Sequence, residues 1–219
     1  MHGRQGHQDA RSRARKLVVL RTIRYFAFGA NLSPNVLNRR GVSPLMSEKA
    51  ILRKHRLCFN HRNGFANLEP SNSRECDGDV HGVVFDLHER DFNRLEEAEI
   101  GYMTKRILVE TYGTREEVEA ETFVSRPELK IICDDVDPSV LLPTHGYLEK
   151  IREGAHFHGL DFGYQKWLGD LETLQGPVPA QYLYTPSRRN LNLALTLAGA
   201  LSLALAFPRD GRRRSIATN

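Results

Sequence analysis

One passage near the start of the chain constrains the fold more than any other. Residues 17–28, "LVVLRTIRYFAF", form a run of β-branched, aromatic and long apolar side chains that stops at Gly29-Ala30-Asn31 and gives way at once to Ser33-Pro34. The run has the composition of a strand. Serine at a helix N-cap and proline in the first turn make "NLSPNVLNRR" the opening of a short helix. Strand, tight loop and helix N-terminus in direct succession expose the amides of Gly29, Ala30 and Asn31 as a cradle for a carboxylate or a developing oxyanion. Taken alone, the loop reads first as an ordinary turn.

Further strands are expected at Ala50–Phe59, Gly64–Leu68 and Val80–Leu87, with breaks at His61-Arg62-Asn63-Gly64 and Asp77-Gly78. A helix is expected over Glu89–Ala98. "KRILVETYG" and "VEAETFV" then flank Thr114-Arg115 as a hairpin, and "HGYLEKIREGAHFHGL" and "FGYQKWLGDL" follow as two late helices. Strands dominate the first two thirds and helices the last. That order predicts an α+β domain with a largely antiparallel or mixed sheet.

At 219 residues the chain suits one well-packed domain with tails. Residues 1–16 are a basic tail with almost nothing apolar to bury, 17–187 the domain, and 188–219 an apolar segment with basic flanks. Within the last, "LNLALTLAGALSLALAF" (191–207) reads first as a packed helix or hairpin, with tail anchoring to a membrane as the alternative. Seven Lys/Arg against Asp9 in residues 1–24 and six against Asp210 in 188–219 leave the body seven charges negative beneath an overall +4. An acidic body between basic tails is a poor nucleic-acid platform. Cys58, Cys76 and Cys133 have neither metal nor disulfide spacing, which points to free thiols in a reducing, cytoplasmic setting. No apolar signal-peptide core is present near Met1. His156 and His158, two apart on an expected helix, cannot face one ion. No Gly-x-Ser-x-Gly elbow, phosphate loop or dinucleotide fingerprint occurs.

A carboxylate cluster, Glu96, Glu97 and Glu99, closes the helix that begins at Glu89. Phe92, Leu95 and Glu99 share one face at spacings of three and four, so Glu99 is aimed at the apolar side while Glu97 points away. Spacing alone does not exclude Glu96. A half-buried carboxylate suits a group that must take and return a proton; a solvated acidic helix end closed by Gly101 is the plainer reading.

Together, "YFAFGAN" at 25–31 and "LEEAE" at 95–99 resemble the gamma-glutamylcyclotransferase family, whose members open with a Tyr-Phe-Ala-Tyr-Gly-Ser-Asn-like segment and carry one catalytic glutamate. "GFANLEPS" (64–71), "VHGVVFDL" (80–87) and "YLEKIREGAHFHGL" (147–160) are similar to the family's middle strands and late helix. The resemblance implies a compact mixed β-barrel with surrounding helices and a pocket where loop 25–31 meets Glu99. It implies cyclisation of a gamma-glutamyl amide to 5-oxoproline, with Glu99 as acid/base and Tyr25, Phe28, Gly29, Ala30, Asn31 and Tyr102 on the substrate. No cofactor and no metal are implied, and glutathione is among the candidate substrates. Phe28 and Ala30 depart from the usual Tyr and Ser, and Thr104 stands where some members have a second tyrosine after the glutamate. Arg53, Arg56 and Arg62 are candidates for a second substrate carboxylate. The alternative is a catalytically silent binding module or membrane-tethered adaptor of the same fold.

Overall fold

The computed structural model describes residues 21–71, 79–131 and 141–178. Its strands are β1 (Thr22–Ala27), β2 (Met46–Arg53), β3 (His55–His61), β4 (Phe65–Pro70), β5 (Asp79–His88), β6 (Tyr102–Thr111) and β7 (Glu117–Ser125). The helices are α1 (Pro34–Arg39), α2 (Glu89–Ala98), α3 (His145–Phe157) and α4 (Phe162–Asp170).

Long strand β5 pairs antiparallel with β1 on one edge and β2 on the other, with Tyr25 opposite Phe85 and Ala50 opposite Gly82. β2 pairs with β6, β6 with β7, and a parallel seam of β7 on β1, Tyr25 opposite Glu121, closes the barrel. Closure removes the unpaired sheet edges that β-branched strands would otherwise expose. The result is the mixed barrel with surrounding helices expected above. Phe26, Phe85, Leu87 and Val109 from the barrel share one core with Leu95 of α2, Leu148 and Ile151 of α3, and Leu168 of α4. Fully burying a side chain of this kind contributes about 1.5–3 kcal/mol.

The expected strand Ala50–Phe59 is two strands. Lys54 takes a left-handed turn (φ 57°) between β2 and β3, and no Gly, Asn or Pro there announces it. β3 and β4 instead form a separate ribbon, turned at Asn63 and Gly64 (φ 69° and 71°). Buried Asn67 fastens the ribbon to the barrel by accepting the Ser125 amide at 2.8 Å.

α1 opens at Pro34 as expected, but Ser33 does not cap it with its side chain. Its hydroxyl donates to Glu153 on α3 at 2.9 Å. α3 also presses on the 3-10 turn Ala30–Leu32: a Cβ on Gly154 would sit 2.3 Å from the carbonyl carbon of Leu32. The loop after β1 is thus held by a helix from the other end of the chain. No helix among the described residues is long and apolar enough to cross a membrane. Segments 1–16 and 191–207 and the end of the 17–187 domain lie outside the described residues.

Candidate active site

Glu99 leaves α2 at the point where the helix ends (φ −89°, ψ 61°), yet its amide still donates to the Leu95 carbonyl at 2.9 Å. It therefore keeps the helical bearing that Phe92 and Leu95 set, toward the core. Gly101, at φ 92°, then reverses the chain into β6; a Cβ there would lie 2.4 Å from Leu129. The Glu99 side chain is 16% exposed, whereas Glu96 and Glu97 are exposed and Glu96 accepts from Thr104 at 2.8 Å. Of the three carboxylates, only Glu99 faces the interior.

It meets the Gly29-Ala30-Asn31 loop on the lining of a cavity of about 580 Å³, within the usual range for small-molecule sites. Tyr25, Phe28, Gly29, Ala30, Asn31, Glu99 and Tyr102, the residues singled out in the sequence, all line it. Asn31 organises this end. Its amide nitrogen donates to Tyr25 Oη at 2.7 Å and to Glu99 Oε1 at 2.9 Å, and its oxygen accepts from Arg40 at 2.8 Å. Arg40 also donates to Glu99 Oε1, closing a ring of three side chains. Asn31 is 5% exposed, so its bonds replace water that cannot reach it.

Further phenols line the cavity beside this network. Tyr102 donates to the Ala66 carbonyl at 2.8 Å, and the Ala66 amide donates to Tyr147 Oη at 3.1 Å. Burial pushes the Tyr25, Tyr102 and Tyr147 hydroxyls above the ordinary phenol range, and the nearby Glu99 adds to this in each. They stay neutral at physiological pH. His61 stacks on Tyr102 with ring centroids 4.0 Å apart and shares a 2.8 Å hydrogen bond between Nδ1 and Ser125 Oγ. Burial, with Arg62 alongside, lowers its pKa to about 4, so it too is neutral.

Residues 25–141, more than half of the chain, match the model of the family described as gamma-glutamyl cyclotransferase, AIG2-like. The chain belongs to that family. Among solved structures, the human protein loc79017, described as uncharacterized, has a TM-score of 0.57 at 22% identity, covering 74% of this chain and 95% of its own. A structure described as gamma-glutamyl cyclotransferase gives 0.57 at 22%, covering 74% and 96%. YkqA from Bacillus subtilis gives 0.53 at 17%, covering 69% and 56%. At these identities the likeness is one of fold. No protein with a curated description matches by sequence.

Several residues lining the cavity of this AIG2-like chain carry no sequence signal. Arg40, His61, Tyr147 and Lys150 all reach it, from α1's end, β3 and α3. Of the three arginines considered for a second carboxylate, only Arg62 lines the cavity. Arg53 is held by Glu110 and Asp79 on the barrel surface, and Arg56 borders a different cleft with Trp167. Thr104, committed to Glu96, does not line the cavity, so its departure from the family pattern lies outside the site. His156 is exposed, and His158 bonds the Leu32 carbonyl at 3.1 Å. Among the described residues no three of His, Cys, Asp and Glu come together as a metal-ligand set.

Proposed function

We propose that this chain is a gamma-glutamylcyclotransferase, converting a gamma-glutamyl amide to 5-oxoproline and a free amine or amino acid. The observation that carries the reading is the Glu99 carboxylate held against the 29–31 loop by the Asn31 amide. The substrate's glutamyl group curls in the cavity, its α-carboxylate or amide oxygen on the loop amides and Arg40. Glu99 takes a proton from the α-ammonium, and the freed amine attacks the γ-carbonyl of the same molecule. A new C–N bond closes the five-membered ring and the old C–N bond breaks; Glu99 gives its proton to the departing amine and relays the second proton shed by the ring nitrogen, so that the amine leaves as an ammonium. Because the nucleophile and carbonyl belong to one molecule, the protein's contribution is mostly to hold them together, worth on the order of 7–11 kcal/mol when alignment is good.

The test is 5-oxoproline release from gamma-glutamyl-alanine and glutathione by the purified protein and by Glu99→Gln, with thermal melts to confirm folding. Loss of an acid/base group predicts a fall of about 10²- to 10⁴-fold. Equal rates in the two proteins would remove Glu99 from the chemistry, and no release by folded wild type would overturn the reaction.

A further inference from the structure

Four cations, Arg39, Arg40, Arg62 and Lys150, line the cavity against one carboxylate, Glu99. Elsewhere on the described surface, arginines are mostly matched. Arg53, Arg106, Arg115 and Arg152 each pair with a glutamate or aspartate. In the cavity Arg40 alone is matched, to Glu99, while Arg39, Arg62 and Lys150 form no ion pair among the described residues. A concave site lined by unmatched cations raises the local concentration of anions.

The cations also divide by position. Arg39 and Arg40 come from the end of α1, where Arg40 contacts Glu99. Arg62 stands at the tip of the β3–β4 ribbon. Lys150 stands one turn beyond Tyr147 on α3, on the same helix face. These two elements meet: the Phe65 and Tyr147 rings are 4.8 Å apart. A gamma-glutamyl group whose α-amine reaches Glu99 leaves its own α-carboxylate beside Arg40 and the loop. The substituent on the γ-carbonyl nitrogen then extends into the rest of the cavity, where Arg39, Arg62 and Lys150 are the remaining cations.

We propose that Arg62 and Lys150 form a subsite for a carboxylate on the leaving amine, so that the protein prefers gamma-glutamyl amino acids or peptides to gamma-glutamyl amines. This rests on the Glu99 reading above for the placement of the glutamyl head. The arginine fork and the ammonium recognise a carboxylate through charge-assisted hydrogen bonds, which are stronger than neutral ones.

The experiment compares gamma-glutamyl-alanine with gamma-glutamyl-alaninamide, which differ only in that carboxylate. It uses wild type and the Arg62→Gln/Lys150→Gln double variant, two changes at solvent-accessible side chains. The wild type should favour the acid by about tenfold in kcat/KM, which converts to about 1.4 kcal/mol. The double variant should bring the ratio near one. Equal turnover of both compounds by wild type, or a ratio that survives in the double variant, would overturn the subsite and leave the Glu99 mechanism standing. If neither compound is turned over, calorimetric binding to the same proteins decides separately. Tighter binding of the acid, lost in the double variant, supports the subsite although the reaction has failed; equal or absent binding overturns both.

Discussion

Gly154→Ala sets two physical effects against each other, and the structure decides between them. In mid-helix, alanine in place of glycine favours the helix by about 1 kcal/mol. At position 154, however, the new Cβ would stand 2.3 Å from the Leu32 carbonyl carbon, 2.4 Å from its Cβ and 2.6 Å from its oxygen. Those are atoms of a fully buried residue in a tight turn, not the tip of a mobile side chain. Overpacking costs about 1–3 kcal/mol where neighbours can yield, and backbone yields least, so the upper part of that range applies. The net expectation is a loss of about 1–2 kcal/mol, or roughly 2–8 °C in Tm for a chain of this size. Gly169 in α4 is the control, since a Cβ there meets nothing within 4 Å and Gly169→Ala should gain up to about 1 kcal/mol. Urea unfolding of the three proteins at constant slope makes the comparison. A Gly154→Ala protein as stable as wild type would refute the close docking of α3 on the 30–32 turn, and with it the account of how Asn31 is held.

Asn31→Ala should lower kcat about tenfold, equivalent to about 1.4 kcal/mol of barrier, because Glu99 loses the donor that aims it while Arg40 remains. Steady-state kinetics on a folded variant with unchanged kcat would exclude the orienting role. The histidines predict the acid side of the stability profile. His61 is held neutral in the fold down to about pH 4, while in the unfolded chain it protonates near 6.5. Between those values the unfolded state binds more protons, so stability rises with pH across the window and is lost as pH falls through it. Burial lowers the pKa of His81 and His158 in the same direction. Urea midpoints measured from pH 7 to 4 should therefore fall, and His61→Gln should flatten the slope; an unchanged slope would mean that His61 is protonated in the folded protein.

How much of this is readable from sequence differs residue by residue. Glu99 is legible because Phe92 and Leu95 mark the buried face of α2 and the bearing persists one residue past the helix. The 25–31 loop is legible because Gly29 and Ser33-Pro34 punctuate the chain on either side of it. The split between β2 and β3 is not, because Lys54 adopts a left-handed turn with none of the residues that usually occupy one. Arg40, Tyr147 and Lys150 are not legible as site residues. Which face of α3 meets the loop is set by Gly154 against Leu32, a contact between distant parts of the chain that periodicity does not encode. Ser33 shows the same limit from the other side: its pattern fits a cap, and tertiary contact with Glu153 claims its hydroxyl instead.

The two departures in the loop now have a physical meaning. Phe28 and Ala30 lack the hydroxyls that the family resemblance would place there, and Phe28 is 5% exposed with its ring 6.4 Å from that of Phe26. The polar groups that line the cavity are anchored by hydrogen bonds to other protein groups. Asn31 ties Tyr25 to Glu99, while Tyr102 and Tyr147 hold the carbonyl and the amide of the same residue, Ala66. Groups fixed in this way need not reorganise when charge develops on a substrate, which is what makes electrostatic stabilisation effective. Since burial keeps these phenols protonated, they hold the walls through any pH change near neutrality. Charge in the cavity then resides in Glu99 and the four cations alone, so exchanging a rim cation should alter which leaving group is accepted while the walls keep their shape.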